Sequence, residues 1–335
     1  MSKIFTLSEC ADFLNQQREG RILLAAHIRP DGDALGSLCG MLLLLNENAF
    51  SADAILPDSI PDYYRPMLPE TGLTGEPSAQ ELSRYSLMIV MDSARKDRVA
   101  AEFFANAETN SLPVLNIDHH PDNPAYADYN LVLPDAASDT EILTMLAQAA
   151  TWNISPAAAE HLMTGLVTDT GGFRFTNTTA RTMRTAAMLR EAGCNYEKIM
   201  TACFFSKAEN LARFEAELLF RYMKKALDGK MIYAYLAPEL LEKYDIDLRN
   251  TEQVIEILRA IDGPLIAATI RNEQDGFKCS LRSKDRRYSV GRIARAIGGG
   301  GHEMAAGCTM RLSSFEEAEK ILLKEVENEL NEKQT

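Results

Sequence analysis

The sequence predicts an α/β protein, with an N-terminal parallel sheet covered by helices on both faces, a helical connection, and a smaller C-terminal α/β part. Three observations predict it. Short apolar runs alternate with helical patterns through the first half of the 335-residue chain. Several of those runs end directly in Asp or His. A second strand-rich pattern, with a hairpin in it, begins only after a long helical stretch.

In order along the chain, "RILLAAH" (21–27), "ADAILP" (52–57), "LMIVMDS" (87–93) and "VLNIDHH" (114–120) are apolar runs of strand length. Between and after them, "GSLCGMLLLLNEN" (36–48), "DRVAAEFFANA" (97–107) and "TEILTMLAQAA" (140–150) carry helical periodicity. Buried strands separated by helices imply right-handed crossovers and a largely parallel sheet. In open sheets of that kind ligands bind beyond the carboxyl ends of the strands, which is where this chain keeps its acids. Residues from Thr179 to about Leu227 read as almost wholly helical, with Gly193 as an internal stop. There follow a strand, "KMIYAYLA", two helical stretches, and the pair "PLIAATIRNE" and "FKCSLRSK", joined at "QDG" as a hairpin. A helix, "SVGRIARAI", the run "GGGGHEMAAG" and an amphipathic helix from Ser314 close the chain.

Composition narrows the class. The length favours two domains. No apolar run approaches the roughly 20 residues of a membrane helix, and the first residues lack the pattern of a signal peptide. Six scattered cysteines with no C-x-x-C pair argue for reduced thiols and against a structural zinc site, so a cytoplasmic location is expected. The formal net charge of −13 disfavours long nucleic acid. Residues 265–302 are the exception: eight Lys or Arg face three acidic residues there, a local net charge of +5. That asymmetry suits a grip on a small phosphorylated ligand, although a solvated basic face would have the same composition.

The stretch "AAHIRPDGDALGS" places His27, Asp31 and Asp33 at the end of an apolar run. An Asp after a strand also caps the next helix or makes a turn, so this stretch alone decides little. Other strand ends add Asp92 in "IVMDSA", Asp118, His119 and His120 in "NIDHHP", and Asp169 in "GLVTDTGGF". Carboxylates that converge on one rim repel one another and need compensating cations to stay ionised. Imidazoles mixed with carboxylates and no thiolate suit Mn²⁺, with Mg²⁺, Fe²⁺ or Co²⁺ as alternatives. The number of ligands suits two ions sharing a bridging Asp, an arrangement used for phosphoryl displacement. A dinucleotide fingerprint fails for "GGGGH", because the glycines follow a helix and precede a strand. Consecutive glycines let backbone N–H groups approach a phosphate, and a flexible turn is the plainer reading.

Taken in order, "HIRPDGDALGS", "MDSA", "DHHP" and "TDTGGF" resemble the four motifs of the DHH phosphoesterase superfamily, and "GGGGHEMAAG" resembles the signature of its DHHA1 domain. Size and plan are similar to the NrnA-like bifunctional oligoribonuclease (nanoRNase) and pAp phosphatase group. The resemblance implies a DHH metal-binding catalytic domain over residues 1–190, a helical linker over 191–228 and a DHHA1 substrate-binding domain over 229–335, with the active site in the cleft between the lobes. It assigns His27, Asp31 and Asp92 to one metal ion, and Asp33, Asp92, His119 and Asp169 to the other. It puts His120 beside the scissile phosphate and makes Asp118 an orienting group. Arg282, Gly299, Gly300, Gly301 and His302 would form the substrate pocket. The loop at "PDAASDTEIL" would lie over the active site, and Arg174 near the substrate, although capping by Ser138 or Asp139 explains the loop sequence equally well.

The implied activity is manganese-supported hydrolysis of short RNA or DNA oligonucleotides and of pAp. No membrane and no long duplex nucleic acid is expected as a partner, and a homodimer is allowed. Linear or cyclic dinucleotide hydrolysis is the nearest alternative; an inorganic pyrophosphatase or a non-catalytic nucleotide sensor ranks below it.

Overall fold

The computed structural model describes residues 2–55, 60, 68–69, 72–99, 111–251 and 254–332. The chain divides into two compact units, Met1–Ser206 and Lys207–Thr335.

In the first unit the strands are β1 (Lys3–Ile4), β2 (Arg21–Ala25), β3 (Ser51–Ile55), β4 (Leu73–Thr74), β5 (Leu87–Met91), β6 (Val114–Asp118) and β7 (Tyr129–Val132). They form one sheet in the order β1-β7-β6-β5-β2-β3-β4, with each neighbouring pair parallel. Its helices are α1 (Leu7–Asn15), α2 (Gly32–Glu47), α3 (Ala79–Leu82), α4 (Asp139–Ala149), α5 (Pro156–Asp169), α6 (Ala180–Glu191) and α7 (Tyr196–Met200). Alternate residues of the central strands feed opposite cores. Ile22 and Leu24 of β2 pack with α2, α4 and α5, whereas Leu23 and Ala25 join Leu82, Val99 and Leu112 on the other face. After β2 the chain steps to β3 on one side, and it later returns as β5 on the other. The crevice at that reversal opens at the carboxyl ends of β2 and β5.

Two glycine-dependent contacts decide how closely α2 and α5 approach. A Cβ on Gly36 would stand 2.6 Å from the His161 carbonyl oxygen and 2.8 Å from Gly165 N, and one on Gly40 would stand 2.9 Å from Leu162 Cδ2. The i, i+4 glycines of "GSLCG" therefore let the two backbones nearly touch. This brings Asp33, in the first turn of α2, alongside the chain that ends in Asp169.

The second unit contains α8 (Glu209–Arg221), β8 (Met223–Ala226), β9 (Met231–Leu236), α9 (Pro238–Lys243), α10 (Val254–Arg259), β10 (Ile266–Glu273), β11 (Gly276–Ser283), α11 (Val290–Ala296), β12 (Gly300–Gly301), β13 (Ala305–Met310) and α12 (Phe315–Glu332). Its mixed sheet runs β12-β13-β11-β10-β9-β8. Met231, Tyr233 and Ile266 face α11 and α12, while Ile232, Ala234 and Ala267 face α8, α9 and α10.

Most sequence expectations correspond to elements, and one does not transfer. Helical reading through Leu227 fails at its end: α8 stops at Arg221, and Met223–Ala226 pairs antiparallel with β9. Leu227 and Asp228, both with positive φ, turn the chain back, so those residues satisfy their backbone across a ladder rather than along a helix. The helical pattern over 97–107 lies largely outside the described residues. All six cysteines are buried thiols. Among the described residues, no helix is long and apolar enough to cross a membrane.

Candidate metal centre

The side chains at the carboxyl ends of β2, β5 and β6 meet. His27 follows β2; its Nε2 lies 3.5 Å from Asp92 Oδ2 and 3.9 Å from Asp31 Oδ1. His119 follows β6; its Nε2 lies 3.5 Å from Asp92 Oδ1, 3.5 Å from Asp169 Oδ2 and 3.8 Å from Asp33 Oδ2. Asp92 belongs to both groups and is buried, at 3% exposed. It sits at φ 52°, a left-handed conformation that Asp tolerates better than most residues, and its amide donates to the Ile117 carbonyl. Strain of this kind persists where the surroundings over-determine it.

Each ligand candidate is held by its other atoms. Asp31 caps α2, its Oδ1 accepting from the amides of Asp33 and Ala34, so the capping role and the site role coexist in one side chain. Asp33 accepts from the Asp139 amide at 2.6 Å, the Thr140 amide at 3.1 Å and the Thr140 hydroxyl at 2.9 Å. His27 Nδ1 faces the Ile28 carbonyl at 3.0 Å, and His119 Nδ1 faces the Ala136 carbonyl at 3.4 Å. With Nδ1 as donor in each ring, a neutral imidazole keeps its lone pair on Nε2, pointing at the carboxylates. His120 differs. Its Nδ1 binds Asp118 Oδ1 at 2.8 Å, and Asp118 in turn accepts from Asn123 Nδ2 at 2.5 Å.

Electrostatics show what the cluster lacks. Burial, then the charges of Asp92 and Asp169, push the Asp33 carboxyl well above its ordinary range. Burial pushes Asp169 up to about 7, against the pull of His119. Burial opposes the charge on Asp92 too, but hydrogen bonds to His119 and His27 outweigh it and hold that carboxyl low. His27 is raised to about 9, because Asp92 and Asp31 overcome the effect of burial. Asp139 is wholly buried, both carboxyl oxygens lack a hydrogen-bond partner, and burial with the charges of Asp33, Asp92 and Asp118 pushes it far up. The acids outnumber the imidazoles that could balance them, so some retain protons that a cation would displace. Ligand atoms about 2.1 Å from one ion stand roughly 3.0–3.4 Å apart, close to the separations found here. The residues therefore fit divalent cations.

The pocket residues expected from the glycine-rich run belong to the second unit. Arg282 on β11 donates Nε to Glu256 Oε1 at 2.7 Å, which occupies one edge of its guanidinium. Gly300 and Gly301 form β12 and pair with Gly307 and Ala306. A Cβ on Gly299 would stand 2.2 Å from the Gly307 carbonyl oxygen, so that glycine is required by close backbone packing whatever else it does. His302 follows, half-buried. Arg174 donates Nε to the Gly171 carbonyl and lies over the Phe204 ring at 5.5 Å.

Sequence reasoning gave no role to Thr140 beside Asp33, Asn123 beneath Asp118, or Arg181 with Glu141, and it weighed Asp139 only as a helix cap, a place that Ser138 takes. The signal available was "SDTE", a Ser followed three residues later by Glu, which marks a helix start; Ser138 does accept from the Glu141 amide.

Both units of the chain are similar to known proteins. Residues 21–166 match the DHH family, N-terminal domain, and residues 228–332 match the DHHA1 domain. The chain belongs to the DHH–DHHA1 phosphoesterase family. It is 29% identical over 322 residues to the bifunctional oligoribonuclease and PAP phosphatase NrnA of Thermus thermophilus, covering 93% of this chain and 91% of the relative. Its identity to the Bacillus subtilis protein of the same name is 27% over 308 residues, covering 90% of this chain and 92% of the relative. A crystal structure of an exopolyphosphatase-related protein from Bacteroides fragilis superposes with a TM-score of 0.87 at 23% identity over 97% of each chain, which establishes the fold.

Proposed function

We propose that this chain is a two-metal phosphoesterase that hydrolyses oligonucleotides of a few residues and nucleoside 3',5'-bisphosphates such as pAp. The observation that carries the reading is the placement of Asp92, whose two carboxylate oxygens each stand 3.5 Å from the imidazole nitrogen of a different histidine. One carboxylate between two donor sets is what a bridging ligand requires. On this reading His27, Asp31 and Asp92 hold one ion, and Asp33, Asp92, His119 and Asp169 hold the other. Manganese suits the mixed imidazole and carboxylate set.

Bound ions of this kind supply Lewis acidity that activates water at neutral pH and offsets charge on phosphoryl oxygens. The chain's own groups do the remaining work. Asp118 fixes the His120 ring through Nδ1, and the protonated ring would donate Nε2–H toward a phosphoryl oxygen. Burial opposes protonation of His120, but the hydrogen bond and charge of Asp118 outweigh it and keep the ring more basic than usual. Residues 1–190 act as the catalytic part and 229–335 as the substrate-binding part, where Arg282, Gly299, Gly300, Gly301 and His302 take the terminal phosphate. Arg282 donates Nε to Glu256 and Nη1 to the Leu281 carbonyl, so on this reading Nη2 is the nitrogen that meets the phosphate. The names of the curated relatives support both substrates. A short ligand also reconciles the local charge of +5 with a chain of −13.

The test is an assay of chelator-stripped protein with and without added Mn²⁺ on pAp, labelled RNA dimers to decamers, cyclic dinucleotides and pyrophosphate. Mn²⁺-dependent cleavage of pAp and of the shortest RNAs is expected. Turnover of pyrophosphate alone, or no metal-dependent turnover at all, refutes the proposal.

A further inference from the structure

The loop of residues 133–138 orients two of the proposed ligands at once. Its Ala136 carbonyl faces His119 Nδ1, and the helix start that it feeds presents the amides of Asp139 and Thr140 to Asp33. Irregular backbone can hold two ligands at coordination distance only if it is itself anchored. The anchors come from α6 and the turn before it. Arg181 donates Nη1 to Asp135 Oδ2 at 2.9 Å and Nη2 to the Asp135 carbonyl at 2.5 Å, and its Nε stands 3.4 Å from Glu141 Oε1. One planar guanidinium thus spans the front of the loop and the first turn of α4. Glu141 is fully buried and turns Oε2 back to the Ala137 amide at 2.6 Å. Asn177 Nδ2 bridges the Ala137 and Asp169 carbonyls at 2.9 and 3.0 Å, which ties the same loop to the end of the helix bearing a third ligand.

We infer that Arg181, acting through Glu141 and Asp135, is a positioning residue for the metal centre, holding the 133–138 loop so that His119 and Asp33 stand at ligand geometry. The inference rests on the reading of the cluster as a metal site. A purely structural Arg181 would lower the unfolding temperature and leave the folded protein's affinity for metal unchanged. A positioning Arg181 sets that affinity.

The experiment titrates Mn²⁺ into chelator-stripped parent, Arg181→Met, Arg181→Lys and Asp135→Asn proteins, reading free Mn²⁺ by electron paramagnetic resonance, with thermal unfolding run in parallel. Arg181→Met is expected to bind Mn²⁺ about 10- to 100-fold more weakly while still folded at the assay temperature. On pAp, its kcat at subsaturating metal falls and its KM for pAp stays near the parent value. Arg181→Lys recovers part of the affinity, because charge remains but the fork cannot reach both carboxylates. Parent-like Mn²⁺ affinity in folded Arg181→Met overturns the inference. Should that variant not fold, Arg181→Lys and Asp135→Asn decide: several-fold weaker binding in either upholds it, and parent-like binding in both overturns it. A parent protein that binds no Mn²⁺ instead overturns the metal-site reading, and this inference with it.

Discussion

Gly165 lies where α5 passes both α2 and the start of α4, and replacing it with Ala tests whether backbone proximity sets the geometry of the site. The added Cβ would stand 2.4 Å from Thr140 Cγ2, 2.6 Å from Asp33 Oδ1 and 2.7 Å from Thr140 Oγ1, all closer than real side chains approach. Two effects compete. Ala in a helix interior is favoured over Gly by about 1 kcal/mol. Overpacking a filled interior costs about 1–3 kcal/mol. The net expectation is a loss of roughly 0–2 kcal/mol, which in a unit of this size lowers the unfolding temperature by up to about 8 °C. Function suffers more than stability, because the atoms displaced are the Asp33 carboxylate and the hydroxyl that holds it. Affinity for Mn²⁺ should fall about 10- to 100-fold. The assay is a Mn²⁺ titration of chelator-stripped protein beside its thermal unfolding curve, with Gly75→Ala, where a Cβ meets nothing within 4 Å, as the control. Parent-like Mn²⁺ affinity in Gly165→Ala would refute the claim that this helix crossing positions Asp33.

Asp92→Ala should abolish turnover of pAp and reduce the number of Mn²⁺ bound per chain; near-parent activity would remove the case for a shared ligand. Arg282→Ala should raise KM for pAp at least tenfold. It should leave hydrolysis of a small generic phosphodiester within about twofold, and equal losses on both substrates would exclude a pocket role. His161→Leu should flatten the acid limb of the stability curve. Burial lowers the imidazole to about 4, so the unfolded chain takes up a proton near pH 6.5 that the folded chain refuses, and stability present above pH 6.5 declines toward pH 4. The contribution is on the order of 3 kcal/mol and is measured by urea unfolding at a series of pH values.

The central strands and the residues at their ends were legible because burial on both faces leaves near-continuous apolar runs, against which a terminal Asp or His stands out. The edges were not. β1 and β4 span two residues each, too few for any periodicity, and β7 follows a polar turn that hides it. Met223–Ala226 has two lysines in its centre and continues a helical pattern without a break, so only its pairing with β9 marks it as a strand. The four-residue spacing of Gly36 and Gly40 read as an ordinary helix, since the reason for it lies on α5, more than a hundred residues away. Long-range pairing also concealed the Arg181 contacts and the tie between Glu256 and Arg282. Motif residues marked the proposed ligands, whereas the residues that hydrogen-bond to them are distributed through ordinary helices and loops.

The paired histidines after β6 divide their labour by position. Their ring centroids lie 4.8 Å apart and both reach Asp92 Oδ1, at 3.5 and 3.6 Å, yet His119 has 5% side-chain exposure while His120 keeps 27%. Deleting a single residue within β6 would put His120 in the place of His119 and Pro121 in the place of His120. The count of residues between the sheet's hydrogen-bonded ladder and this doublet is therefore under as strong a physical constraint as the imidazoles themselves.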